Sequence, residues 1–89
     1  MYTVVWVESA VLKLADAWTQ ADSADRTANT AAAHRVDEKL RLDPVEAGES
    51  RDDKRRIYVD LPLVVVYELT EDDRLVTVLD VVVPPTRTG

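Results

Sequence analysis

Arg51, Lys54, Arg55 and Arg56 gather four of the chain's eleven basic residues within six positions, and Tyr58 follows two places later. Such a cluster suits a phosphate, since guanidinium groups fork onto its oxygens and an aromatic ring can stack on a base. Cutting an RNA backbone asks for more: a base to activate the 2'-hydroxyl, an acid for the leaving oxygen and cations around the transition state. Arginine supplies the cation but stays protonated, so the proton would fall to Lys54 or Tyr58. Neither suits that task without a large pKa shift. Asp52 and Asp53 sit inside the cluster, and Arg55 and Arg56, as neighbours on a strand, point to opposite faces. The solvated start of a strand therefore explains these residues as well as a phosphate site does.

Other chemistries have less to build on. His34 is the single histidine and falls nearly opposite Val36 around a helix, which predicts an exposed side chain. There is no cysteine, so neither disulfides nor thiolate metal sites arise. Asp52-Asp53 and Asp72-Asp73 lack the alternating oxygen ligands of a calcium loop and read as solubilising turn residues. Two glycines, one of them terminal, leave no phosphate-cradling loop. No metal and no cofactor is expected. The net charge of −6 argues against a surface that grips nucleic acid throughout, but not against a local basic site.

These residues need elements to position them, and 89 residues allow one domain with a single core. Tyr2 to Val7 reads as a short strand. Ser9 fits an N-cap, after which Val11, Leu14, Ala15 and Trp18 recur at helical spacing and predict a buried stripe with Trp18 in the core. A break at Gln20 to Ser23 precedes a second helix from about Ala24 to Leu42, with Ala28, Ala32, Val36 and Leu40 as an i+4 ladder. Pro44 stops it. Asp43 to Lys54 is expected to be irregular. Arg55 to Val59, Leu63 to Leu69 and Leu75 to Val83 then form a meander, with turns at Asp60-Leu61-Pro62 and Asp72-Asp73. Pro84-Pro85 ends the last strand, residues 1–85 make the domain, and 86–89 form a disordered tail. The fold class is α+β: a small two-layer β-α-α-β-β-β domain with a helical hairpin packed on a four-stranded sheet.

The last two strands are apolar on both faces. By strict alternation Leu75, Leu79, Val81 and Val83 share one side with Thr77, while Val76, Val78 and Val82 share the other with Asp80. One face lies under the helices, and nothing after Pro85 is long enough to cover the other. Val64, Val66, Val76, Val78 and Val82 are therefore the candidate partner-binding residues, for a second protein or a second copy of the chain. The chain begins directly on its first strand, and no stretch approaches the roughly 20 apolar residues that cross a bilayer. A cytoplasmic protein without membrane association is expected.

The series Tyr2-Thr3-Val4-Val5-Trp6, Ala10 to Trp18, Asp43 to Arg51, Arg55-Arg56-Ile57-Tyr58-Val59, Leu63 to Leu69 and Asp72 to Leu79 resembles the RelE/ParE superfamily of bacterial type II toxins over nearly the whole chain. The resemblance implies a toxin held inactive by a cognate antitoxin that wraps an extended segment around it. It also implies one of two targets. The RelE branch cleaves messenger RNA on the ribosome, and the ParE branch poisons DNA gyrase. Arg56 matches the first arginine of the family's Arg-x-Arg strand and Tyr58 stands at the second. Leu61-Pro62 replaces an Asp-Tyr pair, Leu63 stands where an arginine is common, and Asp80-Val81-Val82-Val83 runs into two prolines without a basic residue or a late histidine or tyrosine. The resemblance thus implies an antitoxin-binding toxin-like protein, or a non-catalytic relative that dimerises through its valine face. Arg51, Lys54, Arg55, Arg56 and Tyr58 are its candidate target contacts.

Overall fold

The structure is a computed structural model that describes residues 1–51 and 54–83; Asp52-Asp53, Pro84-Pro85 and the tail expected at 86–89 lie outside them. The elements are β1 (Thr3–Trp6), α1 (Glu8–Gln20), α2 (Ser23–Leu42), α3 (Pro44–Ala47), β2 (Glu49–Ser50), β3 (Arg55–Asp60), β4 (Leu63–Thr70) and β5 (Leu75–Val82). The α+β class and the helical layer on one sheet face stand as expected. The sheet has five strands in the order β1-β5-β4-β3-β2, with β1 parallel to β5 and the other pairs antiparallel.

The fifth strand comes from the segment expected to be irregular. Asp43 ends α2 by donating its N–H to Lys39 O, and its carboxylate accepts from Glu46 N, so one residue closes α2 and caps α3. Pro44, at the start of α3, needs no N–H there. Glu49 and Ser50 then pair with Ile57 and Arg56. Asp22 caps α2 by accepting from Asp25 N at 2.8 Å. α1 begins one residue before Ser9, because Val7 N bonds Val78 O and the chain turns from strand to helix without a side-chain cap.

The core consists of Val4, Ala10, Ala32, Val36, Leu40, Leu63, Val65, Tyr67, Val76, Val78 and Val81. On α2 the expected ladder holds for Ala32, Val36 and Leu40, but Asn29 takes the inward position instead of Ala28. Each i+4 step overshoots a turn by about 40°. Three such steps carry Ala28 off the face that Asn29, eleven residues before Leu40, still shares. On α1 the buried side runs through Ala10, Leu14 and Ala17, roughly one residue's rotation from the expected stripe. Val11 is 46% and Trp18 44% exposed, so Trp18 is not a core residue. α1 lies on β5 rather than closing on α2, and Trp18 spans the remaining groove by donating to Thr30 Oγ1 at 3.2 Å.

Polar links tie the layers. Trp6 Nε1 donates to Asp37, which also pairs with Arg41, and Arg35 holds Asp60 with a two-nitrogen fork at 2.8 to 3.1 Å. Lys13 Nζ lies 2.7 Å from Asp80 Oδ1, and this bond holds the Asp80 carboxyl below its ordinary value of 3.8, helped by Val81 N. A depressed carboxylate contributes stability that is complete above the unfolded pKa and vanishes as pH falls through the folded one. Asp80→Asn is therefore expected to be slightly less stable than the parent at pH 7, by less than about 1 kcal/mol because both partners are solvent-exposed. The gap should close below about pH 3.8, as melting curves of the two proteins across pH would show.

Candidate functional site

The strand pairings sort every sheet residue onto one of two faces. Val4, Val76, Val78, Val65, Val81, Tyr67 and Leu63 face the helices and are buried. The opposite face carries Val5 on β1, Leu75, Thr77 and Val82 on β5, Val64, Val66 and Glu68 on β4, and Arg55, Ile57 and Val59 on β3. No described element covers it. Val5, Val59 and Val82 are 46%, 55% and 47% exposed, and Val64, Val66 and Ile57 are half-buried between them. The result is an apolar strip on an open sheet, with Val59, Val64 and Val82 in one cross-strand row and Ile57 and Val66 in the next, where Asp80, bridged to Lys13, lies opposite Val66; Arg55 opposite Glu68 bounds the strip on one side.

Val64, Val66 and Val82 lie on this open face as expected. Val76 and Val78 do not: both are fully buried beneath the helices. The expectation failed because β5 does not alternate strictly. The register shifts where Val66 pairs with Asp80 and Tyr67 with Val78, leaving Leu79 as the extra residue of a bulge. Beyond it the parity reverses, so Val81 joins the core and Val82 the open face. Ile57 and Val59 belong to the same strip, and Val5 lies on the same face beside Thr77; the sequence reading does not single them out. For β3 the signal was available, because Arg56, Tyr58 and Asp60 alternate with Ile57 and Val59, but it does not say which set meets the helices.

The basic cluster divides. Arg51 and Lys54 are exposed, and Arg51 Nη2 is 3.9 Å from Glu49. Arg55 is exposed on the open face. Arg56 turns to the helix side, pairing with Ser50 and Tyr67, where its Nη1 donates to Val45 O at 3.0 Å and to Gly48 O at 3.5 Å. Tyr67 Oη donates to Pro44 O at 2.6 Å. Arg56 and Tyr67 together pin α3 and the following turn against the sheet. Burial raises the pKa of Tyr67 above its usual 10, although Arg56 nearby pulls the other way. Tyr58 is half-buried on the same side, and burial with the Asp60 charge raises its pKa as well. A phenol pushed in that direction is a poorer general base near neutral pH. The candidate contacts therefore divide: Arg51, Lys54 and Arg55 are exposed, while Arg56 is committed to backbone carbonyls on the helix side.

This placement makes Arg56 a stability residue. Arg56→Met keeps the aliphatic stem but leaves the Val45 and Gly48 carbonyls without their charged donor. A loss of about 1–2 kcal/mol is expected, read as a lower urea midpoint. An unchanged midpoint would show that these bonds contribute nothing net.

The architecture is that of a RelE-type toxin fold. One chain of the RelBE2 toxin–antitoxin complex from Mycobacterium tuberculosis superposes with a TM-score of 0.73 over 91% of this chain and 88% of that chain, at 15% identity. The isolated RelE toxin of E. coli gives 0.66 over 98% and 88% at 19% identity. The intact E. coli RelBE toxin–antitoxin complex gives 0.65 over 97% and 100% at 18% identity. No protein-family model and no curated protein matches the sequence. At these identities the likeness is one of fold, and it covers 91–98% of this chain. Among the described residues no helix is long and apolar enough to cross a membrane.

Proposed function

We propose that the chain is the toxin-like component of a type II toxin–antitoxin pair and that an extended segment of its cognate antitoxin binds the open sheet face along Val59, Val64, Val66 and Val82. The observation that carries this reading is the uncovered apolar strip on a RelE-type fold. Such a strip is costly to leave in water and characteristic of a protein interface. Two of the structural neighbours were determined as toxin–antitoxin complexes, which supports a partner of that kind. The protein acts in the bacterial cytoplasm, on gyrase or on ribosome-associated messenger RNA, if it is toxic at all.

A second reading has its own support. Arg56 is spent on backbone carbonyls and both Tyr58 and Tyr67 have raised pKa values, as in a non-catalytic relative that pairs with a second copy of itself through the same valines. Regulated expression in a bacterial host, with and without any small gene beside this one, separates the two. Growth arrest relieved by the neighbour supports the toxin, and assays of messenger RNA cleavage and gyrase inhibition then choose its target. Unimpaired growth with a soluble symmetric dimer supports the module.

A further inference from the structure

β1 covers only the first half of β5. Its last partner there is Val78, whose carbonyl also accepts from Val7 N, and the chain then turns away into α1. Over residues 79–82 no described strand pairs with β5 on that side. In an antiparallel pair only alternate residues turn their backbone groups toward the partner strand. Val81 N donates instead to the Asp80 carboxylate at 2.9 Å, so the Val81 backbone faces away from β4, along the bare edge. The edge is not filled by α1 either: a groove of about 360 Å3 opens between Lys13, Ala17 and Gln20 on the helix and Val81 and Val83. Unpaired backbone groups beside open space are a template for another strand.

The local chemistry opposes that pairing. The bulge at Leu79 falls directly after the last residue that β1 covers, and it bends the strand where the strand becomes an edge. The Asp80 oxygen that takes Val81 N also lies 2.7 Å from Lys13 Nζ. An incoming carbonyl would therefore find the Val81 N–H occupied and a carboxylate in its way.

We infer that the bare end of β5 is a pairing surface for the same edge of a second copy of this chain, held shut by the Asp80 cap that Lys13 positions. A second copy fits because two identical edges meet antiparallel about a two-fold axis, which gives a closed, self-complementary contact. The surface is the rim of the sheet and not its open face, and the inference holds under either reading of the function above.

Asp80→Ala removes the cap, whereas Asp80→Asn keeps an oxygen that accepts from Val81 N. The Lys13 and Asp80 side chains are 57% and 39% exposed, so neither substitution endangers the fold. Sedimentation velocity and amide hydrogen exchange of the whole chain test the assignment. Asp80→Ala is expected to self-associate at least about tenfold more tightly than the parent, with the Val81 amide exchanging more slowly as concentration rises, while Asp80→Asn matches the parent. Association of Asp80→Ala no tighter than the parent's would overturn the inference. So would equally tight association of Asp80→Asn, or an Asp80→Ala dimer in which the Val81 amide exchanges as fast as in the monomer.

Discussion

Val82→Asp is expected to weaken partner binding by roughly 100-fold, about 3 kcal/mol, while leaving the fold intact. Val82 is 47% exposed and opposite Val64 on the uncovered face, so a carboxylate there stays hydrated in the free protein and must be stripped of water only when a partner covers the strip. Val66→Asp is the poorer probe, because Val66 pairs with Asp80 and like charges directly opposite on a sheet destabilise it. In the bacterial host the Val82→Asp protein should escape neutralisation by the neighbouring gene product at expression levels that silence the parent. Calorimetric titration gives the affinity, and circular dichroism verifies the fold. Parent-like affinity in a folded Val82→Asp protein would remove the open face from the interface.

Gly48→Ala is expected to cost about 2–4 kcal/mol. A Cβ at this position would lie 2.6 Å from Tyr67 Oη and 2.7 Å from the Ile57 carbonyl. The backbone is extended there, at φ −118°, so the constraint is steric. Tyr67 is fully buried and its hydroxyl is bound to Pro44 O, and Ile57 O belongs to the sheet, so neither can yield cheaply. Relief must come from opening the β2–β3 pairing or breaking the Tyr67 bond. A melting temperature lower by about 10–20 °C follows for a domain of this size. A change under about 3 °C would show that the α3 turn is free to shift and is not pinned by Tyr67 and Arg56.

Much of the architecture was legible because the patterns were local. The alternation of Leu63, Val65 and Tyr67 with Val64 and Val66 sorts the two faces of β4, and Ala32, Val36 and Leu40 mark the inward side of α2. What escaped the sequence depends on long-range geometry. Alternation through Leu75 to Val82 looks unbroken, yet the bulge at Leu79 inverts it, because register belongs to the pairing of two strands and not to one strand's residues. Trp18 keeps helical spacing with Val11 and Leu14 but borders a groove, since α1 settles on β5 and not on α2. Arg56 resembles a target contact by type and neighbourhood. Its direction follows from Tyr58 and Asp60 sharing its face, where Arg35 and the core hold them. Asp43 to Ser50 is polar and short, and its order comes from caps and from Arg56 and Tyr67, which are distant in sequence.

The open sheet face as antitoxin site is tested most directly by valine-methyl NMR of this chain as the protein encoded beside it is added. The account predicts that the methyls of Val59, Val64, Val66 and Val82 shift on complex formation, while those of Val76 and Val78, sealed beneath the helices, stay close to their free positions. Shifts confined to Val11 on the helical side, with the four sheet valines unmoved, would contradict it.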